Sequence, residues 1–117
     1  MKVAIVGSRS FNDYDNLKDF IKMICIQNNI EIDTIVSGGA RGADKLGEQY
    51  AKENGYDLTV FPAEWDKYGK RAGFIRNEYI IDACDVCIAF WDGKSHGTKH
   101  DIELCKIKDK PCYIYKF

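Results

Sequence analysis

Five short apolar runs punctuate the chain, at residues 2–6, 34–37, 58–61, 86–91 and 112–115. Each is rich in β-branched or aromatic side chains and has too few alternating polar positions to keep one face wet, a pattern that predicts buried parallel strands. Between the runs the apolar period lengthens to that of a helix. It is carried by Leu17, Phe20, Ile21 and Ile24, then by Ala43, Leu46, Tyr50 and Ala51, then by Ile75, Tyr79, Ile80 and Ala83, and last by Ile102 with Cys105. Gly55 stands just past the second helix as its stop. Gly47 interrupts the apolar stripe of that helix, where it costs about 1 kcal/mol against alanine, so close packing is the expected reason for it. Alternation of strand and helix predicts an α/β doubly wound, three-layer sandwich around a mainly parallel five-stranded sheet. In such sheets ligands bind beyond the carboxyl ends of the strands, where strand order reverses.

At 117 residues, 45% of them hydrophobic, the chain reads as one domain over 1–117. Seventeen basic side chains against eighteen acidic ones leave a formal charge of −1, so no global field draws the chain to duplex nucleic acid or to an anionic membrane. Any anion site has to be local. The opening apolar run is too short for a signal peptide and nothing approaches a membrane span, which points to the cytoplasm. The five cysteines (25, 84, 87, 105 and 112) lie among Ile, Val and Ala and read as reduced, buried thiols. Cys84 and Cys87 form a C-x-x-C that leads into a strand rather than a helix, and no second such pair completes a zinc site, so no metal or cofactor is expected.

Candidate chemistry gathers where strands end. Gly7, Ser8 and Arg9 follow the first strand; Ser37, Gly38, Gly39, Arg41, Gly42 and Asp44 follow the second; Asp92, Gly93, Ser95, Gly97 and Thr98 follow the fourth. All three segments are expected on one edge, the second and third opening directly into helices whose first N–H groups form an anion site if the backbone can come close. Glycine permits that approach, although a glycine-rich turn also serves tight turning and close helix packing. The arginines sharpen the reading. Against thirteen lysines spread along the chain there are four arginines, and Arg9, Arg41, Arg71 and Arg76 all lie in or beside glycine-marked segments. A planar guanidinium fork suits phosphate or carboxylate, which favours a phosphate-bearing ligand. The aromatic and basic segment 64–77 is expected to fold over the cleft mouth. There Trp65 and Tyr68 offer base stacking and Arg76 with Asn77 a hold on phosphate or ribose, with satellite core or self-association as the alternatives. His96 and His100 read as solvent-facing residues near a helix start.

With the segments 7–14 (GSRSFNDY), 35–44 (IVSGGARGAD), 61–77 (FPAEWDKYGKRAGFIRN) and 88–103 (IAFWDGKSHGTKHDIE) in order, nearly the whole chain resembles the SLOG superfamily. That Rossmann-like group includes DprA/Smf and the Lonely Guy enzymes, and the resemblance is nearest to its small stand-alone YspA-like branch. It implies a nucleotide-related ligand across the glycine-rich loops. Lonely Guy enzymes cleave the N-glycosidic bond of nucleoside monophosphates with an arginine and a glutamate, and Arg76 corresponds to the arginine. The glutamate and the approach to its loop are not matched, so Asp101 is the candidate substitute, with Asp92 second. Both carboxylates are read first as ribose-binding groups and only then as catalytic ones.

The resulting expectation is a site for a small nucleotide-derived molecule, ADP-ribose-like or a nucleoside monophosphate, to be sensed, sequestered or processed. A phosphoribohydrolase-like enzyme using Arg76 and Asp101 is the alternative. Single-stranded DNA binding in the manner of DprA ranks third, because the near-neutral charge argues against it. Self-association as a homodimer is consistent with the Lonely Guy relatives and with fifteen aromatic residues in so short a chain.

Overall fold

The computed structural model describes residues 1–117. The strands are β1 (Lys2–Gly7), β2 (Thr34–Ser37), β3 (Asp57–Val60), β4 (Val86–Trp91) and β5 (Cys112–Lys116). The helices are α1 (Tyr14–Asn28), α2 (Ala43–Asn54), a single turn α3 (Trp65–Tyr68), α4 (Ala72–Ala83) and α5 (His96–Ile107), with a 3₁₀ turn at Gly69–Arg71. All strand pairs are parallel, in the order β3-β2-β1-β4-β5. The sheet therefore grows outward from β1 in one direction and then in the other. Its reversal lies between β1 and β4, where Gly7 pairs with Phe90. The fold is the expected α/β, Rossmann-like doubly wound sandwich.

Alternation along the strands builds the layers. Val3 and Ile5 of β1, with Ile35, Ile88 and Phe90, face Leu17, Ile21 and Ile24 of α1 and Ala43, Tyr50 and Ala51 of α2. The intervening Ala4 and Val6, with Val36, Cys87 and Ala89, face Ile80 and Ile81 of α4 and Ile102, Leu104 and Cys105 of α5. Burial on both faces is why the central strands carry no polar alternation. Gly47 answers its expectation, since a Cβ there would stand 2.7 Å from Cβ of Ile5. Helix α2 lies directly on β1.

Two readings are corrected by topology. Strands β3 and β5 are not fully buried, because they are the edges of the sheet: Val60 and Ile114 are exposed. In α4 the inward stripe is Ala72, Asn77, Ile80 and Ile81, whereas Tyr79 turns outward and stacks on Phe61. An aromatic over the cleft-side loop and a core residue look alike in a linear pattern. No helix is long and apolar enough to cross a membrane.

Candidate functional site

The loops after β1, β2 and β4 meet at the point of strand reversal and line one cleft of about 530 Å³. The β1 loop supplies Gly7, Ser8, Arg9 and Ser10; the β2 loop and the start of α2 supply Ala40, Arg41 and Asp44. The β4 loop and α5 supply Asp92, Ser95, Gly97, Thr98 and Asp101, and α4 closes the floor with Arg76, Asn77 and Ile80. The convergence expected from the sequence is present.

Main-chain contacts fix the rim. Ser8 N–H donates to Phe90 O at 2.8 Å, and Ser8 O accepts from Phe11 and Ala43 at 3.1 and 3.4 Å. Gly42 makes this clasp sterically feasible: its φ is +81°, and a Cβ would stand 2.5 Å from Ser8 O. On the other side Asp92 Oδ1 accepts from the amides of Lys94 and Ser95, each at 2.8 Å, while Asp92 N–H donates to Ser8 Oγ at 3.2 Å. These bonds hold the Asp92 carboxylate below its usual range. Much of its accepting capacity is thus spent within the loop.

Arg76 joins the two halves. Its Nη1 donates to Gly38 O at 2.6 Å and its Nε to Asn77 Oδ1 at 3.1 Å. Asn77, itself buried, passes the connection on through Nδ2 to Gly97 O at 3.3 Å and to His100 Nδ1 at 3.2 Å. Every ion pair in the molecule uses a lysine or the N-terminus, so all four arginines are free of carboxylate partners within 4.0 Å. Arg9 and Arg41 are exposed on the cleft rim. Unpaired guanidinium groups around a polar cleft make it receptive to anions.

Two carboxyl groups beneath the rim are nearly inaccessible, Asp44 and Asp101 each 5% exposed. Burial pushes Asp44 up to about 6, against the downward pull of Arg76 and of the Ala40 amide. Asp101 is pushed well above the usual carboxylate range, first by burial and then by the Asp44 charge, and its Oδ1 has no hydrogen-bond partner. The surroundings of Asp101, at the cleft floor, thus favour its protonated form. It can donate to a phosphate or sugar oxygen.

The cleft continues sideways. Arg9 and Arg76 also line two adjoining hollows of about 180 Å³ each. One runs between Gly38, Gly39, Ala40, Pro62 and Trp65; the other runs past Trp65, Lys70, Phe74 and Asn77. Trp65 and Phe74 are 52% and 50% exposed. This extension realises the expectation that segment 64–77 borders the cleft, with α3 and the 3₁₀ turn carrying it.

Several expected residues sit elsewhere. Ser37 is fully buried, its Oγ donating to Glu48 Oε2 at 2.8 Å and accepting from Gly39 N–H at 3.1 Å, so it braces the loop from behind. Gly42 acts through the clasp just described and Gly93 through a turn against Lys116, and neither lines the cleft. Arg71 is exposed on the 3₁₀ turn away from all three hollows, and Lys70 borders the extension instead. A turn of helix that no periodicity announced decides which of two adjacent cations faces inward. Thr98 lies in the cleft but is 3% exposed and pairs with Ser95 Oγ at 3.3 Å. His100 is half-buried, edge-on to Phe74 and bonded to Asn77, not solvent-facing as expected. Sequence reasoning passed over Ser10, Lys70 and Phe74, although all three stand beside residues it had marked.

Comparison with known proteins places this geometry. The chain is 35% identical over 105 residues to the Gene 61 protein of Mycobacterium phage D29, spanning 85% of this chain and 83% of that protein. Its fold matches the solved structure of DNA processing protein A from Helicobacter pylori with a TM-score of 0.66 at 22% identity, over 97% of this chain and 64% of that one. The chain thus spans just under two thirds of that structure's length, and the protein solved there binds single-stranded DNA. The expected partner, a small nucleotide-derived molecule, is corrected at this point. It rested on the family resemblance and on the glycine- and arginine-bearing loops, with the summed charge only setting single-stranded DNA third, whereas the protein of the same fold binds single-stranded DNA. The family model described as "YspA, cpYpsA-related SLOG family" matches residues 1–68. With its strand order, its clasped glycine-rich loops and these relatives, the chain belongs to the YspA and cpYpsA-related SLOG family.

Proposed function

We propose that this protein binds single-stranded DNA along the cleft and its extension. Backbone phosphates lie against Arg9, Arg41 and Arg76, and bases against Trp65 and Phe74. The observation that carries the reading is the continuity of the groove. A pocket for one free nucleotide ends at its walls, whereas here Arg9 and Arg76 are shared by three adjoining hollows and the outer two are bordered by exposed aromatic rings. A cationic track with stacking platforms is the usual equipment for single strands. The near-zero net charge is no obstacle, because Arg9 and Arg41 on the exposed rim have no carboxylate within 4.0 Å.

Hydrolysis of a glycosidic bond is less well supported by the same geometry. Surroundings that disfavour the charged form of Asp101 make it a poor electrostatic stabiliser of an oxocarbenium-like transition state. In a binding role the protonated form of Asp101, which burial favours, donates a hydrogen bond to a phosphate or sugar oxygen.

Fluorescence anisotropy of a labelled dT12 strand tests the proposal. With about three phosphate contacts, affinity is expected to fall roughly 20-fold between 50 and 200 mM salt. Arg9→Ala and Arg41→Ala should each weaken binding. Absence of salt-dependent binding, or affinity unchanged in both variants, would overturn it.

A further inference from the structure

Four of the five cysteines lie on the α4/α5 side of the sheet, and three of them face one another. Cys87 on β4, Cys105 on α5 and Cys112 on β5 bring their sulfur atoms within 4.8 Å of each other, although 18 residues separate the first two in sequence. The neighbouring Cys84 is otherwise engaged, its Sγ donating to Ile81 O at 3.4 Å. Cys25 belongs to α1 on the opposite side of the sheet. All five are free thiols.

We propose that Cys87, Cys105 and Cys112 form a binding site for one thiophilic, zinc-type metal ion, behind the floor of the cleft. The geometry supports it. A zinc ion with Zn–S bonds of about 2.3 Å needs sulfur atoms roughly 3.8 Å apart, so the sulfurs have to close by no more than about 1 Å. Soft thiolates select such ions over the hard cations that prefer oxygen. Two of the sulfurs, on Cys87 and Cys105, are buried, and Cys112 is half-buried on the edge strand, which provides the entry path. Three thiolates with a divalent ion leave one negative charge. Lys110, whose ammonium is anchored by the carbonyls of Asp82 and Cys84, stands close enough to Cys105 to offset it. The three sulfurs supply three positions of a tetrahedral set, and the fourth is left to water. Sequence spacing could not show this site, because its ligands come from three elements and only Cys87 belongs to the visible C-x-x-C.

The test uses the full chain, reduced and handled without oxygen, titrated with Co²⁺ and then displaced with Zn²⁺. One equivalent of cobalt should produce an intense sulfur-to-metal absorption band in the near ultraviolet. Zinc should abolish the band and raise the melting temperature. Cys112→Ser and Cys105→Ser should each lose the band and weaken zinc binding at least 100-fold, while Cys25→Ser keeps both. Should Cys87→Ser fail to fold, Cys112→Ser decides, since that side chain is half-exposed at the sheet edge. A parent protein without the band, a band that survives in folded Cys112→Ser, or one lost in folded Cys25→Ser would overturn the proposal.

Discussion

At the scale of single residues, the cleft combines exposed cations with buried acids, and the two respond differently to change. Arg9 and Arg41 carry no structural contacts that stability depends on, so their replacement by alanine is expected to leave the melting temperature within about 2 °C while weakening dT12 binding about 5- to 20-fold each. The slope of log affinity against log salt should shrink by about 0.7 per arginine removed, measured by anisotropy across a salt series. Asp44 makes a pH-dependent contribution whose sign follows from its raised value of about 6. Between pH 4 and 6 the folded chain holds a proton at this site that the unfolded chain has released, so stability from Asp44 is full below about 4 and is lost as pH rises through 6. Asp44→Asn removes that dependence. Its stability relative to the parent should rise by up to about 3 kcal/mol between pH 4 and pH 7, read from urea melts at the two values. A constant difference would mean that Asp44 is ionised with an ordinary value. Asp101 was legible in the sequence as a carboxyl near a helix start; its burial beside Asp44, which favours the protonated form, was not, because it arises only when the starts of α2 and α5 converge on one cleft.

At the scale of elements, the helical and strand periods were readable because burial imposes them: α1, α2 and the central strands follow the apolar pattern closely. The pattern misled at the sheet edges and in α4, where Tyr79 satisfies a helical spacing yet packs outward on Phe61. The segment bearing α3 and the 3₁₀ turn had no period to read, and its fold decides that Lys70 and Phe74, not Arg71, border the groove. Stacking belongs to this element. Trp65→Ala and Phe74→Ala should each reduce affinity for dT12 by about 1–3 kcal/mol, and binding should quench Trp65 emission, since the other tryptophan, Trp91, is half-buried and bonded to Ser95 O. Unquenched emission on saturation would remove Trp65 from the interface. Packing of α2 on β1 sets a separate expectation: Gly47→Ala forces a Cβ to within 2.7 Å of Ile5 and should cost about 1–3 kcal/mol in denaturant melts, against the usual gain of alanine over glycine in a helix.

At the scale of the whole molecule, a strand order that reverses between β1 and β4 opens the only place where three loop ends can meet. The groove built there lies on a body 38 Å in its longest dimension, so the site should saturate at about four to six nucleotides, the low end of the range for single-strand binders. Affinity measured over dT3 to dT15 should therefore rise steeply and then level. The sequence by itself determined the alternation of elements, the layered α/β class and the three loops that carry glycine and arginine, since hydrophobic period and glycine placement are local demands of burial and turning. Only the tertiary structure decided which cations remain unpaired, which carboxyls lose their water, and that sulfur atoms from β4, α5 and β5 meet. Each of these depends on distances between residues far apart along the chain, and these distances exist only once the helices have settled on the two faces of the sheet.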